Sequence, residues 1–238
     1  MLTAAAAFWF LRSHRRGAGT RARWLQQTSR RALRALKVTT TTDGQPPRGA
    51  ILAANHLGYL DILVLAASTP VVFVAKREVR CWPVFGWFAQ MAGTRFIDRE
   101  NRGDVVRVAA ELAPALAAGA GVVLFLEGTS TDGREVRPFR SSLLEPAAAN
   151  GWPVVPAALS YSVPVGHSVA DEVCWWGDMT LAPHLLNLAA LSQIDALVAW
   201  GRPLSMPDRK QLAAASHAAV VALRTPRMSP SSLVAAVA

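Results

Sequence analysis

Short runs of apolar residues alternate with longer stretches of helical spacing from about residue 50 onwards. The apolar runs predict five strands, at residues 50–55, 71–76, 121–127, 153–161 and 195–201. Helical patterns lie near residues 58–68, 83–92, 101–118, 140–150 and 207–224. Strands that are apolar at nearly every position are typical of a sheet covered on both faces. The chain is therefore predicted to adopt an α/β fold, with a central mostly parallel or mixed sheet and helices on both faces.

Composition agrees with a large core and suggests contact with a membrane. Hydrophobic residues make up 52% of the 238 residues and charged residues only 17%, which excludes general disorder. The mean hydropathy of +0.24 is high for a freely soluble protein. No run, however, reaches the ~18 uncharged apolar residues of a spanning helix. We therefore predict a peripheral or monotopic protein. Cys81 and Cys174 lack CxxC spacing, so the sequence predicts neither a metal site nor a disulfide.

The positive charge is concentrated at the N-terminal end. Residues 1–42 contain nine Lys or Arg and no acidic residue, whereas the remainder is net neutral. On a helical wheel, residues 22–37 place Leu25, Leu33 and Leu36 on one face and most of the cations on the other. A cationic amphipathic helix of this kind is typical of a segment that lies on an anionic lipid leaflet. Residues 1–42 are therefore predicted to be a basic amphipathic membrane-associating segment.

Two other interpretations of this segment stay open. The helix could pack on the domain with its basic face in solvent, or the arm could bind RNA through phosphate contacts. Because the charge does not spread over the globular part, nucleic acid is not the predicted partner. Residues 2–11 are apolar but too short to span, and their cations follow rather than precede them, which favours the cytoplasmic side. Residues 39–49, TTTTDGQPPRG, predict a turn-rich connector.

The segment NHLGYLD, residues 55–61, places a histidine and an aspartate five positions apart where a strand should pass into a helix. Positions five apart do not meet on a continuous helix, so His56 must lie at or before the first turn to contact Asp61. A carboxylate that binds Nδ1 of the imidazole leaves Nε2 available to take a proton from a hydroxyl group. Gly58 is expected to keep the approach open. By itself, the pair could also be a helix cap or a surface histidine.

Three further blocks give this pair a context. FIDR covers Phe96, Ile97, Asp98 and Arg99; EGT covers Glu127, Gly128 and Thr129; and a valine–proline strand contains Val155 and Pro156. In this order and at this spacing, the set resembles the glycerolipid acyltransferase family, whose best-known members are the 1-acylglycerol-3-phosphate acyltransferases. The resemblance covers about residues 48 to 203. It implies that residues 43–238 form the acyltransferase domain.

The resemblance also implies a mechanism and a set of roles. His56 would act as the general base, oriented by Asp61, for transfer of an acyl chain from a thioester to the hydroxyl of a lysolipid. Substrate binding would fall to the FIDR and EGT blocks, to Pro156 for the acyl chain, and to Lys76 or Arg95 beside Arg99 for the acceptor's anionic headgroup. The donor would be acyl-CoA or acyl carrier protein. No cofactor and no metal are implied, and no GxSxG elbow suggests a covalent intermediate.

The expected acceptor is 1-acylglycerol-3-phosphate, although one position departs from that pattern. Many phosphate-acceptor members have an arginine directly after the EGT triplet, and here Ser130 takes its place. Residues 127–147 and 175–191 look closer to the lyso-ornithine-lipid acyltransferases, so O-acylation of an aminolipid is the alternative. Arg134, Arg137 and Arg140 could restore the missing charge. Arg99 could instead pair with Asp98 or Glu100, and a serine hydrolase using Ser130 or Ser141 is a further alternative.

Overall fold

A computed structural model describes residues 17–82, 85–98 and 102–224 of the chain. The strands in these ranges are β1 (Val38–Asp43), β2 (Ile51–Ala54), β3 (Val71–Lys76), β4 (Arg95–Ile97), β5 (Gly121–Phe125), β6 (Val154–Ser162) and β7 (Ile194–Trp200). The α-helices are α1 (Ala18–Ala35), α2 (Leu60–Ser68), α3 (Phe85–Ala92), α4 (Arg102–Ala117), α5 (Glu145–Asn150), α6 (Val169–Glu172), α7 (Leu181–Ala190) and α8 (Arg209–Arg224). Single 3-10 helices cover Arg77–Cys81 and Ser141–Leu144.

The described strands form one mixed sheet in the order β1-β7-β6-β2-β5-β3-β4. From β6 to β4 every neighbouring pair is parallel. β7 runs antiparallel to β6, and β1 runs parallel to β7 at the edge. The predicted fold class, a mixed central sheet with helices on both faces, is confirmed.

Each central strand contributes alternate residues to two separate cores. In β2, Leu52 and Ala54 belong to the core that α2 covers, whereas Ile51 and Ala53 belong to the core on the opposite face. The second core is closed by α4, α5 and α8. Burial on both faces explains why these strands are apolar at nearly every position.

The carboxyl ends of β2 and β5, termed the crevice here, are the place where the chain leaves the two strands toward opposite faces of the sheet. These two strands are neighbours and parallel. After β2 the chain enters α2 on one face of the sheet, and after β5 it enters the 3-10 helix and α5 on the other face. In open parallel sheets, ligands bind at the carboxyl ends of strands whose connections diverge in this way. His56 follows β2 and Glu127 follows β5, so both lie at this crevice.

The predicted strands and most predicted helices agree with the observed ones to within a few residues at each end. The prediction of a connector over residues 39–49 was wrong in its first half, because β1 occupies Val38–Asp43. Its threonines favour strand geometry, and the turn residues begin only at Gly44. The sequence prediction also missed β4, α6 and α7. β4 has only three residues and gains its order by pairing with β3.

Helix α1 packs on the domain through its apolar face. Ala22, Leu25 and Leu33 are buried, and the side chains of Gln26 and Arg30 donate to the carbonyl oxygen of Ala67, near the end of α2. A carbonyl in the last turn of a helix has no partner within the helix, so these bonds satisfy it. The structure thus shows α1 packed on the domain with most of its basic residues exposed, and contact of these residues with an anionic leaflet stays a prediction.

Residues 1–16, which include the apolar run 2–11, lie outside the described residues. Among the helices of the described ranges, none combines the length and the apolarity that crossing a bilayer requires. The predicted boundary between the N-terminal segment and the domain, after residue 42, falls before the last residue of β1 and therefore lies inside the sheet.

Candidate active site

A side-chain amide places His56 at the carboxyl edge of the sheet. Asn55 is buried directly after β2, and its side chain donates to the carbonyl oxygen of Leu159 (3.1 Å) and accepts from the N–H of Leu159 (2.7 Å). These two bonds extend the pairing of β2 and β6 by one residue through the side chain. The backbone of His56 is thereby held at the crevice between β2 and β5.

His56 and Asp61 contact each other as the spacing predicted. Nδ1 of His56 lies 2.8 Å from Oδ2 of Asp61, whose carboxylate is fully buried. The same oxygen accepts the backbone N–H groups of Leu57 (2.6 Å) and Gly58 (3.0 Å). Asp61 lies in the first turn of α2, so its carboxylate satisfies N–H groups that precede the helix. A proton on Nδ1 then faces the carboxylate and leaves Nε2 as the acceptor.

Tyr161 completes the environment of Asp61. Its hydroxyl group donates to Oδ1 of Asp61 at 2.7 Å, so both carboxylate oxygens have donors. Burial and the neighbouring Asp61 charge raise the pKa of Tyr161 well above its usual range, and the phenol therefore keeps its proton. Sequence reasoning missed this residue because the contact joins the end of β6 to the start of α2, 100 positions apart.

The imidazole ring of His56 also stacks on Phe125. The ring centroids lie 3.9 Å apart with an interplanar angle of 16°, and Phe73 stacks behind Phe125 at 6.1 Å. The His56 side chain is 21% exposed. One face of the ring and Nδ1 are therefore occupied, so rotation of the imidazole is restricted. The sequence did not predict that Phe125 belongs to the site. The one sequence signal for it is its position at the end of β5, two residues before Glu127.

Glu127 supports the backbone of His56. Its Oε1 accepts the N–H of His56 at 2.7 Å and its Oε2 accepts the N–H of Arg137 at 2.8 Å. Burial raises the pKa of Glu127, and these two N–H groups counteract that rise. Because a backbone donor occupies each oxygen, this carboxylate shapes the site through the loop it holds. In the same loop, the N–H of Thr131 donates a hydrogen bond to the carbonyl oxygen of His56 at 3.0 Å.

Gly128 provides a surface for an arginine side chain. Its φ of +83° favours glycine, and a Cβ atom there would lie 3.1 Å from the guanidinium carbon of Arg140. Of the three arginines considered as substitutes for the one missing after the EGT triplet, Arg140 is the one that the structure brings against this turn. Arg134 is 83% exposed beside Asp132. Thr129, the last residue of the triplet, is exposed.

The FIDR block lies at the other side of the crevice. β4 pairs with β3 so that Phe96 is opposite Ala75 and Ile97 is opposite Lys76. Lys76 is exposed at the carboxyl end of β3, whereas Ile97 is buried in the core under α4. Asp98 follows β4 and is half-buried. Arg99 lies outside the described residues.

Two other predicted positions lie inside the packed structure. Pro156 is buried within β6 opposite Ala53, and Gly201 packs directly on its ring. The expectation that Gly58 keeps the approach to His56 open was wrong. A Cβ atom on Gly58 would lie 2.9 Å from the backbone nitrogen of Trp175, so the glycine is needed for close packing of that segment.

An imidazole that a buried carboxylate holds at the carboxyl edge of an α/β sheet has the geometry that general-base chemistry requires. The family model described as Acyltransferase matches residues 35–160. The chain therefore belongs to the acyltransferase family.

Individual relatives agree with this assignment. A lyso-ornithine lipid O-acyltransferase from Brucella abortus is 39% identical over 68% of this chain and 66% of its own length. One from Rhodobacter capsulatus is 38% identical over 72% and 64%. A 1-acyl-sn-glycerol-3-phosphate acyltransferase from Neisseria meningitidis is 34% identical over 62% and 57%. The chain thus spans 57–66% of the length of these curated relatives.

A solved structure shows the same fold. The crystal structure of the 1-acyl-sn-glycerophosphate acyltransferase PlsC from Thermotoga maritima superposes with a TM-score of 0.65. The match covers 94% of this chain and 90% of that one at 19% sequence identity. The likeness therefore extends beyond the residues of the family model to nearly the whole chain.

Proposed function

We propose that this protein transfers an acyl chain from a thioester donor to the free hydroxyl group of a lysolipid. The observation that carries the proposal is the His56–Asp61 pair at the crevice, with Nδ1 bound at 2.8 Å to a fully buried carboxylate. An imidazole whose Nδ1 is bound to a carboxylate can accept a proton at Nε2 and return it later in the reaction. Membership of the acyltransferase family agrees with this chemistry.

The reaction requires one proton transfer in each direction. Nε2 of His56 takes the proton of the acceptor hydroxyl as its oxygen attacks the thioester carbonyl carbon. The C–S bond then breaks, the ester forms, and the thiolate leaving group takes the proton back from His56. Asp61 stabilises the transient imidazolium, and Tyr161 and two backbone N–H groups hold Asp61 in place. No covalent acyl-enzyme is needed.

Two acceptors are supported by separate observations. Ser130 stands after the EGT triplet, and the relatives with 38–39% identity are named lyso-ornithine lipid O-acyltransferases; both favour an aminolipid. The arginine that lies on Gly128 restores a cation to the turn, which favours 1-acylglycerol-3-phosphate. Both acceptors combine a hydroxyl group with a headgroup that contains an anionic group, a phosphate in one and a carboxylate in the other. We infer that an aminolipid is the first acceptor to test.

The donor and the location follow from the same proposal. Either acyl-CoA or acyl carrier protein supplies the thioester. The exposed cations of α1, including Arg23, Arg31 and Arg34, support contact with an anionic lipid leaflet. We propose a peripheral position on the cytoplasmic face of the cell membrane, where both thioester donors occur.

The central prediction concerns the base. Purified His56→Ala protein should lose ~10²–10⁴-fold in kcat with its folding intact, because it lacks the group that accepts the hydroxyl proton. Asp61→Asn should show a severe loss as well, since it disturbs the tautomer. The measurement uses one labelled acyl donor and a panel of lysolipids with phosphate or amino-acid headgroups. Near-normal turnover by His56→Ala would remove the assignment, and the preferred lysolipid identifies the acceptor.

A further inference from the structure

Helix α7 has an exposed surface without charge. No Asp, Glu, Lys or Arg occurs in its ten residues, and only His184 and Leu188 are buried. Leu186 is 72% exposed and Leu185 is 40% exposed. The other exposed positions of α7 are Ala182, Pro183, Asn187, Ala189 and Ala190. A helix on the surface of a soluble domain normally presents charged residues to water, so this face is adapted to a different medium.

The same helix is joined directly to the catalytic segment. Nε2 of His184 lies 2.9 Å from the carbonyl oxygen of Cys174, and Nδ1 lies 2.9 Å from the hydroxyl group of Tyr59. Tyr59 belongs to the NHLGYLD segment, two residues before Asp61. Helix α7 is therefore attached, through its buried His184, to the segment that carries His56 and Asp61.

Two exposed tryptophans lie close to the segment that holds α7. Trp175, which donates its backbone N–H to the carbonyl oxygen of Leu57 at 2.8 Å, contacts the ring of Trp82 at 6.1 Å. Trp82 is 43% exposed, and Trp176 is 37% exposed. Trp82 directly follows the 3-10 helix Arg77–Cys81, in which Arg77 and Arg80 are both exposed. Tryptophan and arginine beside an apolar face are the residues that occupy the headgroup layer of a bilayer.

We propose that Trp82, Trp176, Leu185 and Leu186 form a docking surface that inserts into the headgroup layer of an anionic bilayer, with α7 lying in the plane of the membrane. The lipid bilayer as occupant rests on the proposed function, since a lysolipid must pass from the membrane to His56. The tryptophan rim and the adjoining arginines complement an anionic leaflet. The docking surface is separate from the basic face of α1.

Site-specific fluorescence on the full chain tests the proposal. An environment-sensitive nitrobenzoxadiazole probe is attached at Leu186→Cys in a Cys81→Ser background, because Cys81 is exposed and Cys174 is buried. The matched control carries the probe at Ala218→Cys, on the exposed side of α8 over the opposite face of the sheet. With vesicles of phosphatidylglycerol and phosphatidylcholine, we expect a blue shift and quenching by spin-labelled lipid for the probe at 186, and neither for the probe at 218.

A charge substitution provides a second measurement that does not depend on the probe. Leu185→Glu/Leu186→Glu should reduce vesicle flotation at least ~10-fold, because two apolar side chains no longer enter the membrane. Ala214→Glu/Ala218→Glu adds the same charge on α8 and should leave flotation unchanged. Activity on acceptor embedded in vesicles should fall with flotation, whereas activity on a monomeric short-chain acceptor should persist.

The outcomes separate this proposal from the proposed function. Unchanged emission of the 186 probe on protein that floats with vesicles would overturn the docking surface. A blue shift that appears without lipid and grows with protein concentration would also overturn it, in favour of a second copy of the chain. If the docking surface binds vesicles but the wild-type chain acylates no lysolipid, the proposed function fails while the docking surface stands.

Discussion

Asp61 is the side chain on which the arrangement of the site depends. It is fully buried and accepts four hydrogen bonds, from Nδ1 of His56, from two backbone N–H groups and from Tyr161. A buried carboxylate is stable only when donors replace the water it has lost. The residues that surround Asp61 therefore fix the position of its carboxylate and, through it, the orientation of His56.

Tyr161→Phe should lower kcat ~10-fold or more with little change in KM, because a hydrogen bond to a buried charge contributes ~1.5–3 kcal/mol. Steady-state kinetics with the acylated lysolipid as product measures the effect. In a His56→Ala background the same substitution should change kcat little, since Tyr161 is a positioning residue that acts through the His56–Asp61 pair. Equal losses in both backgrounds would contradict this role. Tyr59→Phe, the change at the other tyrosine of the chain, is the control.

Glu127→Gln distinguishes two roles for the acidic residue of the EGT triplet. An amide can accept from the N–H of His56 or of Arg137 but not from both, so one N–H would face the amide NH₂ group. We expect a loss of ~1–3 kcal/mol in the free energy of unfolding and a lower kcat, because the backbone of His56 is displaced. Denaturant titration and kinetics measure the two effects. A raised KM at unchanged kcat would show instead that Glu127 binds the acceptor.

Helix α7 is attached through a histidine that is held neutral. Burial lowers the pKa of His184, and the carbonyl oxygen of Cys174 partly opposes that effect. The folded state therefore favours the neutral ring, which donates from Nε2 and accepts from Tyr59 at Nδ1. Burial also raises the pKa of Tyr59 to about 12, so its hydroxyl group remains a donor. The attachment of α7 is thus sensitive to acid.

The stability that His184 contributes should be present above its unfolded-state pKa of about 6.5 and should decline progressively below it. His184→Gln keeps one hydrogen bond but does not titrate. We expect the difference in Tm between wild type and this variant to be larger at pH 7.5 than at pH 5.5, as measured by thermal unfolding. His217→Gln, at a half-buried histidine of α8, is the matched control. A difference in Tm that does not change with pH would contradict the neutral ring.

The two cores and the N-terminal helix form one folded unit. Helix α1 buries Leu25 and Leu33 in the same core as α2 and β2, and β1 adds an edge strand to the sheet. Deletion of residues 1–37 would therefore uncover α2 and expose this core. Any test of membrane attachment by the basic residues should replace the exposed arginines rather than remove the helix.

Leu33→Ala should destabilise the whole protein by ~2–5 kcal/mol, because the side chain is only 3% exposed and leaves a cavity against α2. Chemical denaturation followed by circular dichroism measures the change, with one transition for the domain and α1 together. Leu186→Ala removes the same atoms at an exposed position and should change stability by less than ~0.5 kcal/mol. A separate early transition for α1 would show that it is not part of the cooperative unit.

Much of the fold could be predicted because buried strands are apolar on both faces, so their positions along the chain can be recognised from local sequence. The His56–Asp61 contact could also be predicted, since a five-residue spacing at a strand-to-helix turn restricts the possible geometry. The threonines of β1 favour a strand, but its partner β7 is far away in the chain, and β4 has only three residues, so neither edge strand was predicted without knowledge of its neighbour. The strand propensity of a segment carries no information about which strand it will pair with.

The limits of local pattern are clearest around the His56–Asp61 pair. The two residues of the pair lie within seven consecutive residues, so the sequence alone predicts their contact. Tyr161, Phe125 and Glu127 reach the pair from β6 and β5, and the segment at Trp175 packs on Gly58. These contacts depend on which strands become neighbours, and that order results from burial of two cores across the whole chain. Local spacing therefore predicts the His56–Asp61 contact, whereas long-range packing determines which groups surround it.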